Sequence, residues 1–496
     1  MITLTALLAG LVQPQAILAD GVVSGLCSDS RRCQPGDLYL LTTTDAAARE
    51  HYSAMALAQG VRWLLIDADS PLPAVADSAA VTTVRVTALA QRVGRIASRF
   101  YGDPSARQRL MGVTGTNGKS SVSHYIATAL AIGGEAVGLM GTLGAGLIGT
   151  ALQPTGYTTP DPLQLQQQLS TLAAAGAVDV VLEVSSHALD QGRLDGTQIE
   201  TAVFTNLSHD HLDYHHTLAA YAAAKRRLFE WPELRNAVLN RDDATAAAWL
   251  PTLPATLNWL DYSLLQPAAL QGRDLRLDRD GLSLQLHYRG AQAPLRSSLL
   301  GRFNASNLLA AAGGLLLRGM ALSTVAERLA QVPPVAGRME RFGGGAAPRV
   351  VVDYAHTPDA LAEALQALRG HTSGRLICLF GCGGDRDQHK RPLMGAIAER
   401  FADHLILTDD NPRHESGDAI IAAIQRGMTQ PQRAVVERDR AAAIATAVAT
   451  AGGDDLILIA GKGHEQWQQV GDTLRPHSDR EQVEALVGLA IQERVA

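Results

Sequence analysis

A glycine-punctuated loop constrains this chain more than any other feature. Residues 112–120 read Gly-Val-Thr-Gly-Thr-Asn-Gly-Lys-Ser. The apolar run 110–113 predicts a buried strand before the loop, and residues 122–130 predict a helix after it. This arrangement is typical of a nucleoside triphosphate site, because backbone N–H groups and the helix N-terminus face the phosphates. The lysine then reaches the outer phosphates, and the serine hydroxyl ligates Mg²⁺.

The spacing of the loop departs from the strict eight-residue phosphate-loop pattern. Val113 stands where the first glycine of that pattern belongs, so the compact form is Gly115-x-x-Gly118-Lys119-Ser120. The alternative is a tight strand-to-helix turn with a chance Gly-Lys-Ser. The flanking strand and helix favour the phosphate loop, and the sequence therefore predicts ATP or GTP binding.

Length and charge narrow the class of protein. The chain has 496 residues, enough for about three domains at roughly 150 residues each. Lys and Arg number 43 against 49 Asp and Glu, a net charge of −6 without a block of like charges. That balance disfavours a nucleic-acid groove.

Cysteine usage and the N-terminus predict a cytoplasmic, soluble protein. The four cysteines are Cys27, Cys33, Cys378 and Cys382. Their spacing fits no zinc site, so we expect free thiols in a reducing compartment. Residues 1–18 lack a basic start and a cleavage site and are interpreted as the first helix of a domain rather than a signal peptide. No apolar run is long enough to span a membrane.

The order of apolar runs predicts an α/β protein. Short strands mix with Ala-rich helical stretches in the first hundred residues, and 101–105 is typical of a linker. After the phosphate loop, apolar runs at 178–184, 202–204 and 237–239 alternate with helical stretches, as in a mostly parallel sheet. Prolines within 331–337 mark a second boundary. The same alternation follows it and predicts a second doubly wound unit.

Polar residues follow several of these predicted strands. Glu183 ends the strand 178–184, where ligands collect in open α/β sheets, and is a candidate Mg²⁺ ligand. The alternative is a polar strand end that faces water. Residues 205–215 are rich in His and Asp, and a second Mg²⁺ with His211 as ligand competes there with a solvated turn.

Lys225 lies among small residues of a predicted helix. A lysine in such a position is most often a surface charge. If it is partly buried, its amine tends to be neutral. A neutral amine reacts with CO₂ to give a carbamate, which is a metal-binding anion.

Two further segments offer nucleotide contacts. Asn304 and Asn307 precede or begin an Ala/Leu-rich helix and either bind a nucleotide base or cap the helix. Arg338 lies just past the second boundary and is either a linker charge or an internal arginine finger that reaches a phosphate when domains close.

Four polar loops end successive predicted strands of the third region, at 353–358, 381–387, 408–413 and 461–465. Together they predict one face of a cleft. Their charged and amide side chains suit a zwitterion with an additional carboxylate, because arginine binds a carboxylate bidentately and acidic groups bind an ammonium. These side chains are Arg386, Asp410, Asn411, Arg413 and Glu465.

With these motifs in place, the chain resembles the Mur ligases, ATP-dependent amide-forming enzymes of peptidoglycan synthesis, over essentially its whole length. It is most similar to the branch that adds 2,6-diaminopimelate to UDP-N-acetylmuramoyl-L-alanyl-D-glutamate. The segments that carry the resemblance are Ser28-Asp-Ser-Arg31, Gly115-Thr-Asn-Gly-Lys-Ser120, Glu183-Val-Ser-Ser-His187, Asp210-His-Leu-Asp-Tyr-His215, Gly337-Arg-Met-Glu340, Asp353-Tyr-Ala-His-Thr-Pro358, Gly383-Gly-Asp-Arg386, Asp410-Asn-Pro-Arg413 and Gly461-Lys-Gly-His-Glu465.

The resemblance implies three α/β domains: 1–102 binds the UDP end of the substrate, 103–336 is a central ATP-binding domain like a P-loop NTPase, and 337–496 is a Rossmann-like domain that binds the amino acid. It implies a cytoplasmic monomer. The resemblance also implies the residues that contact ATP, which are Gly115, Thr116, Asn117, Gly118, Lys119, Ser120, Ser121, Asn304 and Arg338. The metal ligands are Ser120, Glu183, His211 and Lys225, the last as a carbamate.

The same resemblance implies which residues bind the two other substrates. The UDP-muramoyl dipeptide is held by Ser28, Ser30, Asn117, Thr158, Thr159, Ser185, Gln191 and Arg193. The amino acid is held by Arg386, Asp410, Asn411, Pro412, Arg413, Gly461 and Glu465. The sequence Asp-Asn-Pro-Arg indicates meso-diaminopimelate, since Arg413 then meets its second carboxylate.

Three positions depart from the family pattern. Ser120 and Ser121 stand where threonines are usual, which preserves the hydroxyls. Residues 42–48 replace a loop that normally carries a glycine and more polar groups, and Pro160-Asp161 follows Thr159.

The resemblance and the residue types together imply one mechanism. The D-Glu γ-carboxylate attacks the γ-phosphate of ATP, and an amine of diaminopimelate then attacks the acyl phosphate. Two Mg²⁺ ions, Lys119 and Arg338 offset the charge of the transferred group, with Lys225, Glu183 and His211 as further catalytic residues. The alternatives are a lysine-adding Mur ligase, a folylpolyglutamate synthase-like ligase, and an ATP-hydrolysing switch or scaffold that joins no substrates.

Overall fold

The computed structural model describes residues 2–13, 17, 20–74, 81–345 and 347–495. Contacts divide the chain into two compact units, Met1–Tyr262 with Gly313–Gly319, and Ser263–Ala312 with Met320–Ala496. Within the described residues, no helix combines the length and the apolar character that a membrane span needs.

The first unit alternates strands and helices along the chain. Its strands are β1 (Ile2–Thr3), β2 (Val22–Val23), β3 (Gly25–Cys27), β4 (Asp37–Leu41), β5 (Trp63–Asp67), β6 (Thr82–Val86), β7 (Arg109–Thr114), β8 (Val137–Gly141), β9 (Gly144–Leu147), β10 (Asp179–Glu183), β11 (Thr201–Phe204), β12 (Asn236–Asn240) and β13 (Asn258–Ser263). Its helices are α1 (Leu4–Leu7), α2 (Ala46–Ala58), α3 (Leu89–Phe100), α4 (Lys119–Ala131), α5 (Pro162–Ala174), α6 (Ser186–Asp190), α7 (Leu212–His215), α8 (Leu218–Arg226) and α9 (Ala244–Trp249).

A small parallel sheet, ordered β3-β4-β5-β6, forms the N-terminal part of this unit. Its strands alternate their apolar side chains between two cores. Tyr39 and Leu64 pack with Ala56 of α2, whereas Leu40 and Leu65 pack on the side of α1 and α3. Period-two alternation with apolar residues in both phases lets helices cover both faces.

The N-terminal helix predicted over residues 1–18 is wrong in extent. A two-residue strand, β1, pairs with β2, and α1 covers only Leu4–Leu7. Residues 14–16, 18 and 19 lie outside the described part of the chain. Thr3 accepts a hydrogen bond from the Ala6 N–H and caps the N-terminus of this helix, which begins at Leu4. Apolar content alone does not reveal such a cap.

The second sheet of this unit places the phosphate loop at its centre. Its strands run in the order β13-β12-β11-β7-β10-β8-β9, and all are parallel except β9. β7 pairs on one side with β10, where Val113 is opposite Glu183, and on the other with β11, where Thr114 is opposite Phe204. The loops that follow these three strands are therefore neighbours at the carboxyl edge.

The second unit holds the remaining elements. The strands are β14 (Leu270–Asp278), β15 (Gly281–Tyr288), β16 (Ala291–Ser297), β17 (Glu340–Gly344), β18 (Ala347–Asp353), β19 (Leu376–Phe380), β20 (His404–Leu407), β21 (Val435–Val436), β22 (Leu456–Ala460), β23 (Trp467–Val470) and β24 (Thr473–Pro476). The helices are α10 (Arg302–Leu317), whose last residues belong to the first unit, α11 (Leu322–Ala330), α12 (Pro358–Arg369), α13 (Lys390–Phe401), α14 (Gly417–Gln425), α15 (Arg440–Thr450) and α16 (Asp479–Val495).

The C-terminal sheet has the order β17-β18-β22-β19-β20-β21. All its strands are parallel except β17, which pairs antiparallel with β18. One face packs against α12, α13 and α14, and the other against α15 and α16. Helices on both faces of a parallel sheet confirm the predicted α/β class and its doubly wound C-terminal part.

A buried histidine joins two loops of the second unit. The Gly301 N–H donates to His371 Nε2 over 2.8 Å, so the ring proton is on Nδ1 and is donated to the Asp278 carbonyl oxygen, 2.6 Å away. His371 is 2% exposed, and burial lowers its pKa below the usual range. The neutral ring thus ties the residue before α10 to the end of β14.

This histidine predicts a specific loss of stability in acid. The unfolded chain takes up a proton on His371 near pH 6.5, whereas the folded ring resists it, so the free energy of unfolding falls as the pH drops below about 6.5. In His371→Gln the amide keeps one donor and one acceptor but does not titrate. We expect urea unfolding at pH 8 and pH 5.5 to show a smaller acid loss in this variant; an unchanged loss contradicts the assignment.

Candidate active site

The phosphate loop follows β7 and begins α4, as predicted. Gly115 has φ +150°, and a Cβ there would overlap the Thr205 hydroxyl. The Thr116 and Asn117 N–H groups both donate to Asn206, to its carbonyl and side-chain oxygens respectively. These two N–H groups therefore hold the loop against the segment after β11, and the first turn of α4 supplies the N–H groups without intrahelical partners.

Two lysine amines meet at one carbonyl oxygen of this loop. Lys119 Nζ and Lys225 Nζ donate to the Gly115 oxygen over 2.9 Å and 2.8 Å, and Lys119 also donates to the Thr116 oxygen. Lys225 is 1% exposed. Burial, and then the neighbouring charge of Lys119, lower the pKa of Lys225 well below its ordinary value. A lysine in such a sequence position is most often a surface charge, whereas the structure buries this amine, which is the condition under which it tends to be neutral.

Ser120 and Glu183 are in contact at the carboxyl edge of the sheet. Ser120 Oγ donates to Glu183 Oε2 over 2.9 Å, while the Thr142 N–H and hydroxyl donate to the same carboxylate. Two adjacent ligands of an octahedral Mg²⁺, each about 2.1 Å from the ion, lie about 3 Å apart. These two oxygens therefore fit a hard cation, and Thr142 orients the carboxylate.

His211 and Lys225 both lie near the ring of Tyr221. The His211 and Tyr221 ring centres are 6.0 Å apart, and Lys225 Nζ is 4.5 Å from the Tyr221 ring centre. His211 has φ +52°, and its ring packs on His187. Among the described residues, no group of three or more His, Cys, Asp or Glu side chains is arranged to bind a metal ion. The predicted metal ligands do not form a group of that type, because two of the four are a serine and a lysine.

Five of the predicted dipeptide-binding residues form one hydrogen-bonded cluster beside Glu183. The Thr159 hydroxyl donates to the Glu183 carbonyl oxygen and accepts from the Ser185 N–H. Arg193 donates to the Thr159 carbonyl oxygen and to the Gln191 amide oxygen. The Thr158 hydroxyl bonds that of Thr142, which links the cluster to the Glu183 carboxylate.

Of the other predicted dipeptide contacts of the first unit, Asn117 lies in the phosphate loop, and Ser28 and Ser30 lie after β3. Ser28 is exposed, whereas Ser30 is buried with its hydroxyl 3.9 Å from the Met55 sulfur. The flanking Cys27 and Cys33 are buried, and both thiols donate to the Asp29 carbonyl oxygen. All four cysteines are free thiols, as predicted.

The nucleotide contacts predicted in the second unit lie on different elements. Asn304 is the third residue of α10, where its amide donates to the Leu300 carbonyl oxygen and its side-chain oxygen accepts from Asn307. Both asparagines therefore lie within the helix rather than at its N-cap. The Arg338 guanidinium stacks over the Tyr354 ring at 4.5 Å, with Nε buried and unpaired.

The predicted amino-acid loops meet at the carboxyl edge of the C-terminal sheet. Asn411 Nδ2 donates to Glu465 Oε2 over 3.0 Å. A Cβ at Gly461 would lie 2.5 Å from Asp410 Oδ2. Asp410 is 9% exposed, and burial raises its pKa above the usual range. Its carboxylate has no hydrogen-bond partner among the described residues and is available to an ammonium group.

Arg413 is held in a left-handed conformation by a hairpin. Its φ is +50°, its N–H donates to the Gln469 oxygen, and its carbonyl accepts from the Gly471 N–H, both on the β23–β24 hairpin. Arg413 Nη1 donates to the Gly384 oxygen over 2.7 Å. Arg386 is exposed on the neighbouring loop, close to Gly383. Two arginines therefore flank the site, and Pro412 lies between Arg413 and Asn411.

Sequence reasoning missed three parts of these sites. Thr142 ties Glu183 to Thr158, but no pattern marks it. The hairpin that holds Arg413 had only a weak signal, the alternating residues 467–476 around a glycine. Lys462 stands inside the recognised motif 461–465, and its position between two glycines was the available signal.

Comparisons with known proteins agree with this geometry. A model of the Mur ligase middle domain matches residues 113–315, and a model of the Mur ligase glutamate ligase domain matches residues 337–463. The chain therefore belongs to the Mur ligase family.

Several relatives match nearly the full chain. A UDP-N-acetylmuramoyl-L-alanyl-D-glutamate–2,6-diaminopimelate ligase of Xanthomonas campestris is 49% identical over 95% of both chains. Its counterpart in Pseudomonas aeruginosa is 48% identical over 94% of this chain and 95% of its own. A solved structure of an enzyme with the same name superimposes with TM-score 0.72 and 36% identity, covering 96% of each chain.

The phosphate loop supports a test with a matched control. We expect Gly115→Ala to lose nucleotide binding, because its Cβ meets the Thr205 hydroxyl. Gly134 has φ +87°, but a Cβ there meets nothing within 4 Å, so Gly134→Ala carries backbone strain without the overlap and should bind nucleotide normally. Calorimetric titration with ATP, alongside a thermal midpoint for each variant, distinguishes the two; equal binding contradicts the loop assignment.

Proposed function

We propose that the chain is an ATP-dependent ligase that joins meso-2,6-diaminopimelate to the D-Glu γ-carboxylate of UDP-N-acetylmuramoyl-L-Ala-D-Glu. The observation that carries this proposal is the C-terminal site. Asp410 is an unpaired buried carboxylate suited to an ammonium, and Arg413 and Arg386 are nearby for carboxylates. The near-complete match to relatives that carry this name supports the same substrates.

The first step is phosphoryl transfer at the phosphate loop. The substrate γ-carboxylate attacks the γ-phosphorus of ATP, the bond to the β–γ bridging oxygen breaks, and ADP leaves. Lys119 lies at the loop and offsets charge on the transferred group. The product is an acyl phosphate, whose carbonyl carbon is activated toward an amine.

The second step forms the amide. The neutral amine of diaminopimelate attacks the carbonyl carbon of the acyl phosphate. The tetrahedral intermediate loses a proton from nitrogen to water and collapses, and inorganic phosphate leaves with the electron pair of the C–O bond. The C-terminal site presents the amino acid in a fixed orientation, because its carboxylates would bind the ammonium group of the zwitterion and its arginines would bind the carboxylates. ATP cleavage is required because condensation of a carboxylate with an amine is unfavourable in water.

Mg²⁺ is suited to assist the phosphoryl transfer of the first step. Ser120, Glu183, His211 and a modified Lys225 would hold the two Mg²⁺ ions, which would offset negative charge on the phosphates. We propose a carbamate on Lys225, formed when its amine attacks CO₂ and loses a proton. Support comes from the burial and lowered pKa of that amine.

We also propose which part of the chain binds each substrate. Residues 1–102 would bind the UDP end through Ser28 and Ser30, and 103–336 would bind ATP and the dipeptide. Residues 337–496 would bind the amino acid, with Arg338 reaching the nucleotide. Such an enzyme acts on nucleotide-linked precursors and would work in the cytoplasm, as a monomer.

The substrate assignment is tested by phosphate release with ATP, Mg²⁺ and UDP-N-acetylmuramoyl-L-Ala-D-Glu. We expect turnover with meso-diaminopimelate and none with L-lysine or without an amino acid, since lysine lacks the carboxylate that Arg413 would bind. Turnover with lysine instead would identify a lysine-adding ligase. Equal turnover in all three reactions would indicate an ATPase, and turnover only with a folate substrate would indicate a folylpolyglutamate synthase.

The carbamate is tested at Lys225. We expect Lys225→Ala to lose nearly all activity, by a factor of about a hundred or more, and to regain part of it with added acetate or propionate. The short carboxylate would occupy the space of the carbamate and restore a metal-binding anion. Full activity in the variant without additive would refute the carbamate, whereas Lys225→Arg serves as a charged control that should not be rescued.

A further inference from the structure

Lys462 is a completely buried cation beside the amino-acid site. It follows β22 between Gly461, with φ +117°, and Gly463, with φ +53°. Its side chain is 0% exposed, and Nζ lies 2.8 Å from Glu465 Oε2 and 3.1 Å from Asn411 Oδ1. An amine without exposed surface does not contact a bound amino acid, so its effect on that substrate passes through its two partners.

The first partner, Asn411, has its amide orientation fixed. Its oxygen accepts from Lys462 Nζ and from the Gln469 N–H, which is 2.9 Å away. An amide oxygen has two lone pairs, and both are used. The nitrogen must therefore face Glu465, to which it donates over 3.0 Å. Its second N–H is then left to meet a substrate carboxylate or carbonyl.

The two carboxylate oxygens of the second partner, Glu465, have different surroundings. Oε2 accepts from both Lys462 and Asn411, while Oε1 has no hydrogen-bond partner among the residues that the structure describes. Asp410, the other acidic group, is buried and also feels the charge of Lys462. Two carboxylates placed near each other repel unless a cation compensates them. Lys462 supplies that compensation before the substrate arrives.

We propose that Lys462 is a positioning residue for the amino-acid substrate. It locks the Asn411 amide and one oxygen of Glu465, so that the other Glu465 oxygen and Asp410 receive the substrate ammonium. This inference rests on the proposed function, since it takes the C-terminal site as the amino-acid site.

The test measures steady-state constants for diaminopimelate, ATP and the UDP-linked dipeptide. In Lys462→Met, which keeps the length but not the charge, we expect KM for diaminopimelate to rise by about tenfold or more, because a buried charge-assisted hydrogen bond is lost. The constants for ATP and the dipeptide should stay within about twofold, and kcat should change less than KM, as for an interaction present throughout the reaction. Lys462→Gln, which keeps a donor, should show a smaller rise.

Two controls separate positioning from general damage. Lys390 is the other lysine of residues 337–496, and its amine donates to the backbone oxygen of His356, so Lys390→Met should leave KM for diaminopimelate unchanged. The double variant Lys462→Met with Glu465→Gln should be less impaired than the product of the single effects, because no charge at position 465 then needs compensation.

The outcomes are distinct. An unchanged KM for diaminopimelate in Lys462→Met, a parallel rise of KM for ATP, or multiplicative effects in the double variant would each overturn the positioning role. If Lys462→Met fails to fold, as judged by its thermal midpoint, Lys462→Gln decides the question by the same criteria. A wild-type protein that does not use diaminopimelate would sink the proposed function instead.

Discussion

The carbonyl oxygen of Gly115 is the contact on which the nucleotide site depends. It accepts from both Lys119 and Lys225, so two amines lie together, and that of Lys225 is buried. Burial, and then the neighbouring charge of Lys119, lower the pKa of Lys225 well below its ordinary value. Because Gly115 has no side chain, Thr205 and Asn206 approach the loop closely and fix the position of that oxygen.

The same sheet brings the remaining groups into reach of that loop. β10 and β11 flank β7, so Glu183 and the His211 segment lie on either side of the phosphate loop. Thr142 then connects the Glu183 carboxylate to the Thr158–Arg193 cluster. The phosphate loop, the Glu183 carboxylate and the Thr158–Arg193 cluster therefore lie next to one another along one edge of the sheet.

The C-terminal site uses its polar groups differently. Much of its hydrogen-bonding capacity is used internally, between Lys462, Asn411 and Glu465, and the Arg413 backbone is held by a hairpin. Such a network fixes the site before the substrate binds and lowers the entropy lost on binding. Among the described residues, Asp410 and one oxygen of Glu465 have no hydrogen-bond partner, which leaves them for the ammonium group of the proposed substrate.

Local pattern was enough to find most elements and motifs. The strands at 110–113, 202–204 and 237–239 were predicted to within one residue at each end, because apolar runs between turn residues indicate burial directly. The antiparallel strands β14, β15 and β16 were not predicted, although Asp280-Gly281 and Arg289-Gly290 mark their turns. The helix expected over residues 1–18 was wrong, since β1 pairs with β2 and α1 covers only Leu4–Leu7.

What the sequence by itself determined was the chemical inventory: a loop for phosphates, oxygen and nitrogen ligands after strands, and a mixed set of charges for a zwitterion. Only the tertiary structure decided how those groups share hydrogen bonds. β22, the last parallel strand in the chain, lies between β18 and β19 in the sheet, which places Lys462 against Asn411. The physical reason is that strand order and burial depend on contacts between residues far apart in sequence, and a motif records none of them.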